Sequence, residues 1–226
     1  MITDNVEQRS LTWFRNRVGH ITGSKVADLM KSGRKKDEVF SDTAKSYLYQ
    51  IAGERLFNPD FLNDDDIFQD YIDQVSVNTK AMQWGADMED QAKACFVQLN
   101  EGIEIAEVSS CKHDTIPYFA ASPDGAIYGR DIKIIEVKCP NINTYMKYRT
   151  LIHDAASLKE VEPKYYWQMM AEMSCTGATS GIFITYCPWL SKPIHWAEIE
   201  RNGDDVTLME ARVMLANEFI DEIINM

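Results

Sequence analysis

"ASPDGAIYGRDIKIIEVKCP", Ala121 to Pro140, is the stretch on which the fold turns. Its second half, residues 132–138, is an apolar run of the kind that forms a buried strand. The Gly129-Arg130-Asp131 step before it is short enough for a hairpin. Residues 118–128 read as the preceding strand, bent at Ser122-Pro123-Asp124-Gly125. Into this apolar setting the chain places Asp124, Glu136 and Lys138. Side chains alternate across a strand, so Glu136 and Lys138 share one face and Val137 takes the other. The hairpin brings Asp124 alongside Glu136.

Burying one carboxylate is unfavourable unless it is paired or binds a metal. Two converging carboxylates resist joint ionisation. A divalent cation removes that conflict, and hard oxygen donors favour Mg²⁺, or Mn²⁺ in its place, over zinc. The carbonyl of Val137 is a natural further ligand. Lys138 then stands beside the ion, where a neighbouring cation lowers its pKa and lets it orient or deprotonate a water aimed at phosphorus. The bland alternative is an ordinary Glu–Lys pair on a half-exposed strand with an unrelated aspartate in a turn.

Outward from this hairpin the pattern alternates between helical and strand periods. Residues 22–31 predict a short helix capped by Thr22 or Ser24, and residues 41–57 a longer one behind a serine cap. The Asp-rich stretch 58–79 reads as a loop with at most one helical turn. Residues 80–100 carry Met88, Ala92, Phe96 and Leu99 at helical spacing. Glu89 shares a face with Gly85, Ala92 and Phe96, which puts a third carboxylate on or beside the buried stripe. Residues 103–108 alternate like a strand. Helices are predicted near 143–156 and over 163–176, the second with Pro163 in its first turn and Gly177 just past its end. Strands 181–187 and 194–200 and a helix over 205–224 follow. Together these predict an α/β fold, a central mixed sheet flanked by helices in one domain spanning 1–226.

The 226 residues are 45% hydrophobic and 26% charged, ordinary for a globular domain. Five cysteines without a C-x-x-C pair argue against a disulfide framework or a zinc ribbon. No apolar run approaches a membrane span and no secretory signal is evident, so a cytoplasmic setting is expected. The net charge of −12 argues against nucleic acid on composition alone. Its distribution does not, because seven Lys/Arg between Arg15 and Lys36 face one aspartate, and six Asp lie between Pro59 and Gln74.

These motifs, taken together, resemble the bacteriophage lambda exonuclease (viral recombinase) family of the PD-(D/E)xK nuclease superfamily. Trp13, Arg17 and Ile21-Thr22-Gly23-Ser24 match its N-terminal pattern. Trp84-Gly85 and Glu89 match its W-G-x₃-E helix, Ser122-Pro123-Asp124-Gly125 its S-P-D-G strand, and Glu136-Val137-Lys138-Cys139-Pro140 its E-[LV]-K-C-P strand. Tyr165 to Gln168 match the Y-x-x-Q helix start. The resemblance implies a restriction-endonuclease-like core in which Asp124, Glu136 and the Val137 carbonyl hold a catalytic Mg²⁺. Glu89 would help to hold a second ion, and Lys138 would act on the water. It places Arg17, Ser24 and Ser122, with Gln168 close by, in a pocket for a terminal 5′-phosphate. It further implies 5′-to-3′ digestion of double-stranded DNA to mononucleotides, leaving 3′ overhangs for a single-strand annealing protein. A homo-oligomer, commonly a trimeric ring, goes with that activity. A fold-sharing endonuclease or repair nuclease, and a non-catalytic DNA-end-binding scaffold, are the alternatives.

Overall fold

The computed structural model describes residues 2–3, 6–34, 38–75 and 79–226. The elements in chain order are β1 (Ile2–Thr3), α1 (Leu11–Arg15), β2 (Ile21–Thr22), a 3₁₀ turn (Gly23–Lys25), α2 (Val26–Leu29), α3 (Asp42–Arg55), α4 (Pro59–Asn63), α5 (Asp65–Val75) and α6 (Lys80–Leu99). Then come β3 (Cys111–Lys112), β4 (Phe119–Ala121), β5 (Gly125–Ile127), β6 (Lys133–Lys138), α7 (Ile142–Leu151), α8 (Ala155–Val161), α9 (Pro163–Thr176), β7 (Ser180–Tyr186), β8 (Ile194–Glu200) and α10 (Gly203–Ile224).

The α/β class holds, but the strands fall into two sheets, ordered β1-β3-β4-β2 and β5-β6-β7-β8. Both are mixed, with β2 parallel to β4 in one and β6 parallel to β7 in the other. Residues 118–128 are therefore two strands rather than one bent strand. Pro123 has no N–H for a ladder, so pairing stops after Ala121 and resumes in the second sheet at Gly125. The hairpin from β5 to β6 forms as expected, with Gly125 opposite Ile135 and Ile127 opposite Lys133.

Helix α9 packs against β3 and β4 of the first sheet and β6 and β7 of the second, joining the two. It ends at Gly177 with φ of 73°, a conformation open to glycine at no steric cost. The side chains of β6 alternate as the period of two requires. Ile135 and Val137 pack with Ala92 and Phe96 of α6, while Ile134 joins Phe183 and Met169 on the α9 side. The stripe of α10 (Val206, Met209, Val213, Ala216, Ile220) is buried in the larger core against α3 and α9.

Three further sequence expectations change. Residues 103–108 form no strand; they make a single bridge in which Ala106 and Ala126 exchange backbone bonds of 2.8 and 2.9 Å. The 22–31 helix is a 3₁₀ turn followed by one α turn, and Thr22 makes no side-chain cap bond. The Asp-rich stretch is mostly helical. Asn58 caps α4, with Pro59 at its start, and Asp64 Oδ1 accepts from the amides of Asp66 and Ile67 to start α5. Phe68 and Ile72, four apart, bury one face of α5, and the Arg15 guanidinium lies over Phe68 and pairs with Asp65. Residues 76–78 of that stretch, and Lys35 and Lys36 of the basic run, lie outside the described residues.

Candidate active site

Asp124 stands at the entry to β5, its amide donating to Ile135 O (2.9 Å) and its Oδ2 accepting from the Val137 amide (2.7 Å). The aspartate is thus stitched across the hairpin to both residues flanking Glu136. Glu136 itself is fully buried on the α9 side. Its Oε1 accepts from Lys138 Nζ and from Gln168 Nε2 at 2.7 Å, while Oε2 meets no hydrogen-bond donor among the described residues. Lys138 Nζ also lies 5.0 Å from the centre of the Tyr165 ring. Gln168 donates a second time, to Glu172 Oε1 at 2.9 Å. Glu172, one turn further along α9, is 1% exposed; its Oε2 meets no donor among the described residues, and its carboxyl lies close enough to Glu136 for the two to share a proton.

The electrostatics follow from this crowding. Burial, then Glu136, and more weakly Glu89, push Asp124 up to about 7 against the opposing pull of Lys138 and the Val137 amide. Burial and the charge of Glu136 raise Glu172 well above the ordinary carboxylate range. Burial alone would depress Lys138, but Glu136 and Asp124 outweigh it and the ammonium is held above its usual value. The lowered lysine expected from the sequence belongs to the site with a cation bound; the two carboxylates on their own hold Lys138 as a charged donor.

Glu89 does not join this group. It reaches from α6, on the opposite side of β6 from Glu136, and its oxygens pair with Lys93 (2.7 Å) and Arg9 (2.8 Å). Burial raises its pKa, but these two cations together prevail and hold it below the usual range. Among the described residues, no three His, Cys, Asp or Glu side chains gather closely enough to hold a metal by themselves. The donor chemistry of Asp124 and Glu136 nonetheless fits a magnesium-type ion. The two carboxylates are short of positive charge, one Glu136 oxygen is unpartnered, and Mg²⁺ commonly takes only one or two carboxylates and completes its shell with water and substrate phosphate.

The remaining residues assemble on the first sheet. Arg17 Nη1 donates to Ser122 Oγ at 2.6 Å, and its guanidinium lies 4.1 Å from the centre of the Trp13 ring. Parallel pairing sets Thr22 opposite Ala120, so Ser24 and Ser122 each lie two residues beyond a paired position at the same end of the sheet. Gly23 permits this, since a Cβ there would come within 3.1 Å of Ala121 and 3.4 Å of Ala171. Ser24 is exposed. Gln168, expected close to this pocket, ties together Glu136 and Glu172, three residues before the Ala171 that lies against Gly23.

The YqaJ-like viral recombinase domain matches residues 12–179, which span every motif described above. The chain belongs to that family. Its structure is similar to an alkaline exonuclease (LHK-Exo) from Laribacter hongkongensis, with a TM-score of 0.74 and 26% identity over 96% of this chain and 95% of that one. The same enzyme in complex with dAMP gives a TM-score of 0.75 at 26% identity, with the same coverage. A phage-related exonuclease from Haemophilus somnus 129PT shares the fold at 17% identity and a TM-score of 0.65, over 91% of this chain and 95% of that one. No curated protein matches the sequence. The lambda-exonuclease-like PD-(D/E)xK fold expected from the motifs is thereby established for this chain.

Sequence reasoning missed Glu172 and Arg9. The signal for Glu172 was a single carboxylate among Met169, Met170 and Met173 in a helix that is otherwise apolar there. Nothing local marks Arg9, whose importance comes from Gln8. Gln8 Nε2 bonds Val108 O (2.7 Å) and Pro123 O (2.9 Å), anchoring the N-terminal segment next to Asp124. Among the described residues no helix is long and apolar enough to cross a membrane.

Proposed function

We propose that this protein is a Mg²⁺-dependent exonuclease that digests double-stranded DNA from 5′-phosphorylated ends, releasing 5′-mononucleotides and leaving 3′ overhangs. The observation that carries this reading is the Asp124–Glu136–Lys138 group, built round the fully buried Glu136 and short of positive charge, within a fold shared with alkaline exonucleases. Asp124 and Glu136, with the Val137 carbonyl, would hold the ion, and Glu89 would attract a second from the α6 side. Bound there, Mg²⁺ would neutralise phosphate oxygens and make water more acidic.

The chain's own residues supply the rest. Lys138, paired with Glu136, orients the attacking water and offsets the charge developing on phosphorus. Gln168 fixes the Glu136 carboxylate through Oε1, which leaves Oε2 for the ion. Arg17 offers its fork of donors to the terminal phosphate, with the Ser122 and Ser24 hydroxyls beside it. One domain performs both tasks, in the cytoplasm, and the overhang passes to an annealing protein. The dAMP complex of the similar enzyme supports a mononucleotide product.

The test uses linear duplexes with 5′-phosphate or 5′-hydroxyl ends and a covalently closed circle, each with Mg²⁺ or with chelator. Release of mononucleotides from the linear duplexes only, fastest from phosphorylated ends and only with metal, is the expected result. Cutting of the circle would point to the endonuclease alternative and overturn the exonuclease reading. Digestion in chelator would overturn metal dependence.

A further inference from the structure

Two tryptophans from separate elements meet outside the carboxylate group. Trp84 lies in the second turn of α6, and Trp189 in the connection 187–193 between β7 and β8. Their rings are stacked, with centroids 5.6 Å apart and planes within 14° of each other. Trp189 stays 70% exposed although Trp84 covers one of its faces, so its other face is open to solvent. A single exposed apolar side chain needs no explanation. Two indoles held parallel with one broad face left in water do need one, because that arrangement buries little and fixes a flat π surface in place.

The location narrows the ligand. Glu89 is five residues further along α6, about 7.5 Å on the helix axis. On the other element, Thr185 pairs in register with Lys138, and Trp189 follows four residues later. The pair therefore flanks the end of β6 that carries the candidate centre. The connection reads Cys-Pro-Trp-Leu-Ser-Lys-Pro, with Lys192 exposed and no carboxylate. Glu136 is fully buried, so a scissile phosphate reaches it more readily on a strand already parted from its complement. Bases on such a strand have unpaired π faces, and stacking on aromatic side chains with a nearby cation is how unpaired bases are held without sequence readout.

We infer that Trp84 and Trp189 form a stacking platform for unpaired DNA bases beside the active site, with Trp189 receiving a base on its open face and Lys192 meeting the adjoining phosphate. The inference rests on the nuclease reading for its location but is tested separately from it.

The test is binding of a short fluorescein-labelled oligothymidylate, followed by anisotropy in chelator so that nothing is cleaved. The parent protein, Trp189→Ala and Trp189→Phe are compared, and an abasic strand of the same length serves as the base-free probe. Loss of the ring in Trp189→Ala should weaken oligothymidylate binding roughly tenfold, while Trp189→Phe stays within about threefold of the parent. Binding of the abasic strand should be the same for all three proteins. Equal oligothymidylate affinity for parent and Trp189→Ala would overturn the platform, and would instead suit a contact with another protein. An equal loss on the abasic strand would also overturn it. Digestion of a phosphorylated duplex with Mg²⁺ separates the two readings. Digestion with ring-independent binding sinks only the platform, whereas ring-dependent binding without digestion sinks only the exonuclease.

Discussion

Glu136 and Arg17 are charged residues of one candidate site, yet the fold treats them in opposite ways. Glu136 is fully buried between β6 and α9 with two further carboxylates near it, one oxygen unpartnered and Asp124 pushed up to about 7. Arg17 is half-buried, stacked on Trp13 and bonded to a neutral hydroxyl, with exposed Ser24 at the same end of the sheet. The carboxylate region gathers three carboxylates around one ammonium, and on the proposed reading an added cation offsets them before a phosphate arrives. The arginine region offers a guanidinium and hydroxyls, donors of the kind that hold a phosphate. On the proposed reading, one region supplies chemistry together with metal, while the other supplies register without it.

The largest effect expected from this contrast is at Lys138. Lys138→Ala should reduce mononucleotide release on the order of 10³-fold, because it removes a preorganised charge from the reacting phosphate. Duplex binding measured in chelator should be retained. Loss of binding equal to loss of cleavage would break the division between the regions. Arg17→Ala comes next. Losing charge-assisted bonds worth about 1.5–3 kcal/mol should lower kcat/KM on 5′-phosphorylated ends by roughly 10–150-fold. Rates on 5′-hydroxyl ends should stay near the parent value. An unchanged preference for phosphorylated ends would remove Arg17 from the pocket.

The hairpin and its three charges were legible because strand alternation and a short turn are local rules: Gly125 pairs with Ile135, and the Asp124 amide bonds Ile135 O as the turn demands. Helix α9 was legible from Pro163 and Gly177. The misses have tertiary causes. Residues 103–108 alternate like a strand, but only Ala106 finds a partner. The aspartates of 58–75 hid the period of Phe68 and Ile72, which matters only because α1 packs there. Glu172 looked like one polar residue on a methionine-rich helix. Its meaning depends on α9 meeting β6, which sequence periodicity does not encode.

Glu172 gives the third prediction, one of stability and pH. Its folded pKa lies above the ordinary value of 4.5, chiefly through burial and then Glu136. The folded state thus binds the proton more tightly than the unfolded chain does. The associated stability is complete below about pH 4.5 and is lost as pH rises through the folded pKa. Glu172→Gln keeps an acceptor for Gln168 and removes the titration. In chelator it should raise Tm at pH 8 by roughly 2–6 °C, since ~1 kcal/mol moves Tm by about 2–4 °C at this chain length. At pH 4 parent and variant should melt together. A variant less stable at pH 8 would mean that Glu172 is ionised and paired in the fold, and that the carboxylate region is less overcharged than the geometry indicates.

The smallest effect concerns Arg9, where the comparison can be made sharpest. Glu89 is the one candidate carboxylate already balanced by two cations, and Arg9 is the more exposed of them at 53%. An exposed pair of this kind is worth about 0–1 kcal/mol. Against that, Arg9 holds φ at 68°, a left-handed backbone that costs a non-glycine residue on the order of 1–3 kcal/mol. Arg9→Ala loses the pair and keeps the strain, so its Tm should fall by no more than about 4 °C. Arg9→Gly loses the pair but relaxes the backbone, and should melt about 2–4 °C above Arg9→Ala. Both variants leave Glu89 with Lys93 alone. If Glu89 lends its charge to an ion, both should need severalfold less Mg²⁺ for half-maximal digestion, while the apparent affinity for 5′-phosphorylated ends stays at the parent value. A Mg²⁺ requirement unchanged in both variants would assign Glu89 to anchoring the N-terminal segment beside Asp124, and would confine the metal-dependent region to the α9 side of β6.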